Sequence, residues 1–493
     1  MLNLINGKYV NASNGSAIEI KNPARNQLIA TVPNSTIDDV NDCVKAAVSA
    51  SKKWAEVPLH KRCSIIYKFL DLVDGEQEVL AATLCRETGK PITEARKEVS
   101  NTRTIVSSYI EHAKHLYGIN VPIGSEPGHE NTMQFTIRQP LGVVACIIPS
   151  NFPCDLFAQK VPSALLMGNA VIVKPSTSNP LTVHKYCVLL PKCGDFGFKF
   201  LISSVQKAGI PDGVINCISG DGPIVGQALA HNKDVNLITL AGSTIVGKQI
   251  MESASSNLTH IMLELGANDA FIVDKDGDVD LAVNEAIKGR LYNAGQLCCA
   301  SKRFLVHNSI KDEFINKLLN KLNNIVIGDP LYVGTEMGCL ISEKAAKLVE
   351  EQVKATLAQG AILAFGGRRN NAFFEPTILV NIKRDMDIMK DMEVFGPVLP
   401  IMGFDNIDEA IDVANQTSYG LCGNVITKDM NNALKIASKL EVAGVIINGS
   451  SNHRSSEMSF GGWKNSGMGS EGITSTLKQM SREKTIVLKD VLQ

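Results

Sequence analysis

Apolar positions outline the chain before any chemistry is considered. Thr36 followed by Ile37, Asp38 and Asp39 reads as a helix cap, and Val44, Ala47 and Val48 then recur at helical spacing. Residues 36–118 are therefore predicted as a helical layer behind a short opening hairpin. The stretch 118–128 is rich in Gly and Pro, and Met133 to Ile137 alternates as an exposed strand does, closed by Arg138, Gln139 and Pro140, so this region reads as an arm leaving the domain. From Val143 onward, short buried runs (VVACII, AVIVKP, GVINCI, NLITLAG, DAFIV) end in turn residues and alternate with helical patterns, as parallel strands with crossover helices do. A second α/β series, with RFLVH, VLPIMGF, GNVITK and GVIINGS as strands, runs from 280 to 450. No short repeat or low-complexity stretch interrupts the pattern.

Composition narrows the function classes. A chain of 493 residues exceeds a typical single domain, and 44% hydrophobic with 20% charged residues is ordinary for a globular protein. Lys plus Arg total 49 against 50 Asp plus Glu, so no basic excess exists to drive binding to nucleic acid or a membrane surface. The longest apolar runs fall well short of the roughly 20 residues of a membrane helix, and no signal peptide opens the chain. The C-terminal Val491-Leu492-Gln493 matches no retention or peroxisomal signal. Twelve cysteines scattered through apolar segments read as reduced thiols in a cytoplasm, and no His or Cys spacing fits a metal site.

Several segments carry candidate chemistry. In Asn293-Ala294-Gly295-Gln296-Leu297-Cys298-Cys299-Ala300 a thiol lies beside residues that permit tight turns, where free N–H groups would lower its pKa and make it a nucleophile. Thirty-four residues earlier, Glu264 sits between leucines, where burial would raise its pKa into the range of a general base. Asn151 follows a buried strand between Pro149 and Pro153, which would hold its amide toward a developing oxyanion. Lys174 ends a strand, and Leu240 to Gly247 runs from strand through small residues into a helix, suiting a pyrophosphate. The glycines do not spell the Gly-x-Gly-x-x-Gly fingerprint.

Taken in this order, Asn151, Lys174, Gly242 to Gly247, Glu264, Cys298 and Glu393-Val394-Phe395-Gly396-Pro397 resemble the aldehyde dehydrogenase superfamily. The resemblance covers nearly the whole chain, from Glu87-Thr88-Gly89-Lys90-Pro91 to Phe460-Gly461-Gly462-Trp463-Lys464-Asn465-Ser466-Gly467. It implies an α/β fold with two Rossmann-like domains and a small β oligomerisation arm. Residues 1–121 and 142–265 would bind coenzyme, 266–464 would form the catalytic domain, and 122–141 with 480–493 would form the arm of a homodimer or homotetramer. Cys298 looks like the nucleophile, Asn151 and the Cys298 N–H like the oxyanion donors, and Glu264 like the base that activates water against a thioester. NAD or NADP would be held by Ile148, Pro149, Lys174, Ser176, Thr177, Gly242, Ser243, Gly247 and Leu265, with Glu393 and Phe395 at the nicotinamide end. The family motif gives the nucleophile's role to Cys298 rather than Cys299, whose place beside it leaves oxidative disulfide formation open.

Departures from the family pattern bear on the ligands. Thr177 stands where NAD-preferring members usually have a glutamate, so a 2′-phosphate is not repelled and NADP becomes admissible. Ser150 replaces a frequent tryptophan, Ala267 a glycine and Ser470 an arginine, while residues 187–200 form an extra stretch read as a surface loop. Arg454 lies in the region that resembles the substrate-entrance loop, where members handling lactaldehyde, phosphonoacetaldehyde or succinate semialdehyde look similar. There, Arg454 beside Asn151 would favour a small polar or anionic aldehyde. Two rivals remain at this stage: a CoA-acylating dehydrogenase, against which Glu264 argues, and a catalytically silent dinucleotide-binding protein on the same scaffold.

Overall fold

The computed structural model describes residues 1–190 and 209–491. Thr36 opens the first helix with a reciprocal cap: its hydroxyl accepts from Asp39 N at 3.3 Å, and the Asp39 carboxylate accepts from Thr36 N at 2.8 Å. Helices Ile37–Ala55, Leu59–Gly75, Gln77–Thr88 and Ile92–Ala113 form the helical layer. Before them lie two hairpins where the sequence pattern predicts one: Asn3–Ile5 with Lys8–Val10, and Ala17–Asn22 with Gln27–Pro33.

Two large sheets follow. In the first, the strands run in the order Lys8–Val10, Asn3–Ile5, Ile215–Cys217, Ala170–Lys174, Val143–Ile147, Leu237–Ala241, His260–Glu264, Gly467–Met468, and its five central strands are parallel. These central strands are apolar and almost fully buried, because helices cover both faces. The second sheet has the order Ile362–Phe365, Thr377–Val380, Val398–Phe404, Ser301–His307, Asp269–Val273, Cys422–Ile426, Gly444–Ile447, and is parallel except at its first pair. Its core is built from side chains such as Phe271, Phe304 and Leu399.

A third, three-stranded sheet joins Asn120–Val121, Met133–Pro140 and Ser481–Leu488. Its central strand runs through Arg138, Gln139 and Pro140 rather than ending before them. The two long strands of the arm pair with each other along their whole length within one chain, Met133 opposite Leu488 and Pro140 opposite Ser481. The outer edge of Ser481–Leu488 stays unpaired. Of the extra stretch 187–200, Lys192, Cys193, Gly194, Gly197 and Phe200 lie outside the described residues, as do Leu492 and Gln493 at the end of the arm. Among the described residues no helix is long and apolar enough to cross a membrane.

Candidate active site

The strand order of the first sheet reverses between Val143–Ile147 and Leu237–Ala241, and parallel registry brings their carboxyl ends to one edge. Ile147 lies opposite Lys174 and Ala241 opposite Glu264. Ile148 and Pro149, Lys174 to Thr177, Gly242 and Ser243, and Glu264 and Leu265 therefore share the crevice where open α/β sheets hold their ligands. Ser243 caps the helix Thr244–Ser255 through a bond from Val246 N at 3.4 Å, and the helix closes tightly on the sheet. A Cβ on Gly247 would lie 2.5 Å from Leu265. Ile245, 71% exposed, and Val246 present apolar surface at this helix start. Among the described residues the Lys174 ammonium has one protein acceptor, Pro175 O at 3.3 Å, and burial lowers its pKa to about 8. Thr177 donates to Gly220 O at 3.1 Å. An apolar ledge, a helix N-terminus and a buried cation with spare donors suit the adenine, pyrophosphate and ribose of a dinucleotide.

The Cys298 loop is shaped by its backbone. After the helix Val279–Leu291, Asn293, Ala294 and Gly295 adopt φ of 50°, 51° and 77°, three left-handed residues in a row. Gly295 has no room for a side chain, since a Cβ would lie 2.4 Å from Gly396 O. That contact docks the Glu393–Pro397 motif on the loop, and the buried Arg290 pins it with bonds to Val394 O at 2.8 Å and Val398 O at 2.7 Å. Lys302 donates to Cys298 O and lies 3.1 Å from Glu393, whose carboxylate also accepts from Ala267 N at 3.2 Å. The Glu393–Phe395 end is thus tied to the main chain of the thiol.

Asn151 is held from the other side. Its carbonyl accepts from Lys90 at 2.8 Å and from the Asn293 side chain at 3.0 Å, and its own amide oxygen accepts from Phe152 N at 3.0 Å. The amide nitrogen stays free for the cavity, and among the described residues the Cys298 N–H has no acceptor. Asn151, Cys298 and Arg454 line one cavity of about 960 Å³. Lys174, Gly242, Glu264 and Glu393 do not line it, and of these Glu264 feels the charge of Cys298.

Charges around the thiol follow from burial. A hydrogen bond with Cys299, then burial, pushes the Cys298 thiol well above the ordinary range, the reverse of the lowering expected from the loop alone. Burial, then the neighbouring Glu471, pushes Glu264 well above the usual carboxylate range. Glu264 also feels the charge of Cys298, and its Oε2 has no partner. Glu471 is buried, ion-paired to Lys160, and lies 3.6 Å from Arg454. Arg454 also donates to Gln159 at 3.3 Å, with its guanidinium 4.0 Å from the Phe460 ring centre. Both polar contacts use Nη2, so among the described residues its other nitrogens have no polar partner. The sequence reading missed Glu471, Lys160, Arg290 and Lys302. For Arg290 and Lys302 the signal would have been a basic residue next to an apolar run.

This arrangement of crevice, held thiol and oriented amide is that of an aldehyde-oxidising, dinucleotide-dependent enzyme. The chain belongs to the aldehyde dehydrogenase family, whose family model matches residues 9–486, and it is an NAD(P)-dependent aldehyde dehydrogenase. It is similar to the 3-sulfolactaldehyde dehydrogenase of Priestia aryabhattai, 38% identical over 98% of both chains. It is also similar to the lactaldehyde dehydrogenase of Methanocaldococcus jannaschii, 36% identical over 98% of this chain and 99% of that one. Among solved structures, the glyceraldehyde-3-phosphate dehydrogenase of Methanocaldococcus jannaschii complexed with NADP superposes with a TM-score of 0.89 at 35% identity, covering 96% of this chain and 99% of that one. Other structural relatives were solved with NAD+.

Proposed function

We propose that the protein oxidises a small aldehyde bearing a polar or anionic group to its carboxylic acid. The observation that carries this reading is Arg454, which lines the same cavity as Cys298 and spends a single nitrogen on protein partners. The relatives named above are dehydrogenases of lactaldehyde and 3-sulfolactaldehyde, which are small and polar, the second also anionic.

In this reading the Cys298 sulfur, once deprotonated, adds to the aldehyde carbon, and the new oxyanion takes hydrogen bonds from the Asn151 amide and the Cys298 N–H. The cofactor, when bound, supplies the hydride acceptor that turns the thiohemiacetal into a thioester. Glu264 then removes a proton from water, which attacks the thioester, releasing the acid and restoring the thiol. The residues of the first sheet's crevice, Ile148 to Leu265, hold the dinucleotide with Glu393 and Phe395 at its nicotinamide end. Thr177 in place of an acid favours NADP. Glu264 at the position of the base favours water over CoA as acyl acceptor. The parts 1–121 and 142–265, 266–464, and 122–141 with 480–493 act as coenzyme, catalytic and assembly units of a homodimer or homotetramer. The free state of every described cysteine supports a reducing compartment such as the cytoplasm.

The test is initial-rate NADH and NADPH formation with lactaldehyde, 3-sulfolactaldehyde, succinate semialdehyde, phosphonoacetaldehyde, glyceraldehyde 3-phosphate and propanal. Arg454→Ala is expected to lose about 10- to 100-fold in kcat/KM on the anionic aldehydes and little on propanal. Equal losses on all six would remove Arg454 from substrate binding.

A further inference from the structure

One side chain in the cavity wall is used by neither the fold nor the reaction. Asp155 lies in the first turn of the helix Pro153–Leu166, four residues after Asn151 and four before Gln159, so it shares the face that carries the Arg454 partner. It lines the cavity with Cys298, Asn151 and Arg454. Its hydrogen bonding is incomplete: Oδ1 is shielded from solvent without a partner, and Oδ2 receives only a long bond from Asn101 at 3.4 Å. Among the described residues it has no ion pair. An under-bonded carboxyl group there costs stability and serves no packing purpose.

We infer that Asp155 is a specificity-determining residue that hydrogen-bonds a hydroxyl on the carbon next to the aldehyde, sorting 2-hydroxyaldehydes from their deoxy counterparts. The inference rests on the small polar aldehyde proposed above and adds the group that is read. Asp155 stands in the first turn of the helix that Asn151 precedes, in the wall of the cavity that holds Cys298. Burial and then Glu98 raise Asp155 to about 8, so near neutrality it is an acid that both donates and accepts, matching a hydroxyl group. In that form it does not repel an anion held at Arg454. The relatives named above act on lactaldehyde and 3-sulfolactaldehyde, both of which carry this hydroxyl.

Lactaldehyde and propanal differ by that hydroxyl alone, so the test compares their kcat/KM in wild type, Asp155→Asn and Asp155→Leu, with 3-aminopropanal as a third substrate. Cofactor binding confirms folding, and Asp155→Ala replaces the leucine variant if that one is unfolded. Wild type is expected to prefer lactaldehyde; the leucine variant should lose about tenfold or more of that preference with propanal unchanged, and the asparagine variant should keep most of it. A preference for lactaldehyde that survives Asp155→Leu, or equal losses on both aldehydes, overturns the inference while leaving the proposed substrate class intact. Best activity on 3-aminopropanal, abolished by Asp155→Asn, overturns it in favour of a cation site. A wild type indifferent to the hydroxyl and to anionic groups alike overturns both readings.

Discussion

The acidity of two side chains governs how the site runs. Cys298 and Glu264 are both pushed above their ordinary ranges, and in the proposed reaction both act in their deprotonated forms. Turnover is therefore expected to keep climbing as pH rises through neutrality into the alkaline range, rather than peak near neutrality. Glu264→Gln separates the two roles. A burst of reduced cofactor equal to the enzyme concentration should persist while the steady rate falls about 10²- to 10⁴-fold, which stopped-flow absorbance measures. Loss of the burst would assign Glu264 to acylation instead. Cys298, Glu264 and Asn151 were legible in the sequence because each sits in a short motif beside turn-forming residues. Glu471 and Lys160 were not, since a partnership across 311 positions leaves no local trace. The direction of the Cys298 shift was equally hidden, as it depends on which way the neighbouring thiol points.

Among the elements, the left-handed turn before the nucleophile bears the strain. Three consecutive residues near φ of +50° to +77° include Ala294, for which that conformation costs about 1–2 kcal/mol. The docking of Gly295 on Gly396 requires it. Gly295→Ala is expected to destabilise the fold by about 2 kcal/mol or more and to lower kcat more than cofactor affinity, read by thermal unfolding and steady-state kinetics. Unchanged kcat would show that the turn does not set the position of the thiol. Sequence periodicity found the parallel strands because buried runs of Val, Ile and Leu between turn residues have few other readings. It missed the hairpin Ala17–Asn22 with Gln27–Pro33, whose strands are short and half exposed. It also ended the arm strand early, because Pro140 reads as a breaker yet is tolerated as the last residue of a strand.

At the scale of the molecule, the arm sheet leaves an open edge. Along Ser481–Leu488, Val487 is 54% exposed and unpaired backbone groups face outward, a surface suited to a second copy. Val487→Asp is expected to shift the assembly to a smaller species by light scattering, with the monomer fold unchanged. The same mass for both proteins would place the interface elsewhere. The helical layer, both sheets and the arm could be outlined from the sequence, whereas their mutual placement could not, because it is set by contacts such as Asn293 to Asn151 that join distant segments. That placement has a further result. The cavity lined by Cys298, Asn151 and Arg454 includes none of Ile148, Lys174, Gly242, Glu264 and Glu393, the residues proposed to hold the dinucleotide. With the dinucleotide held as proposed, an inhibitor lodged in this cavity is expected to resist displacement when the nucleotide concentration is raised.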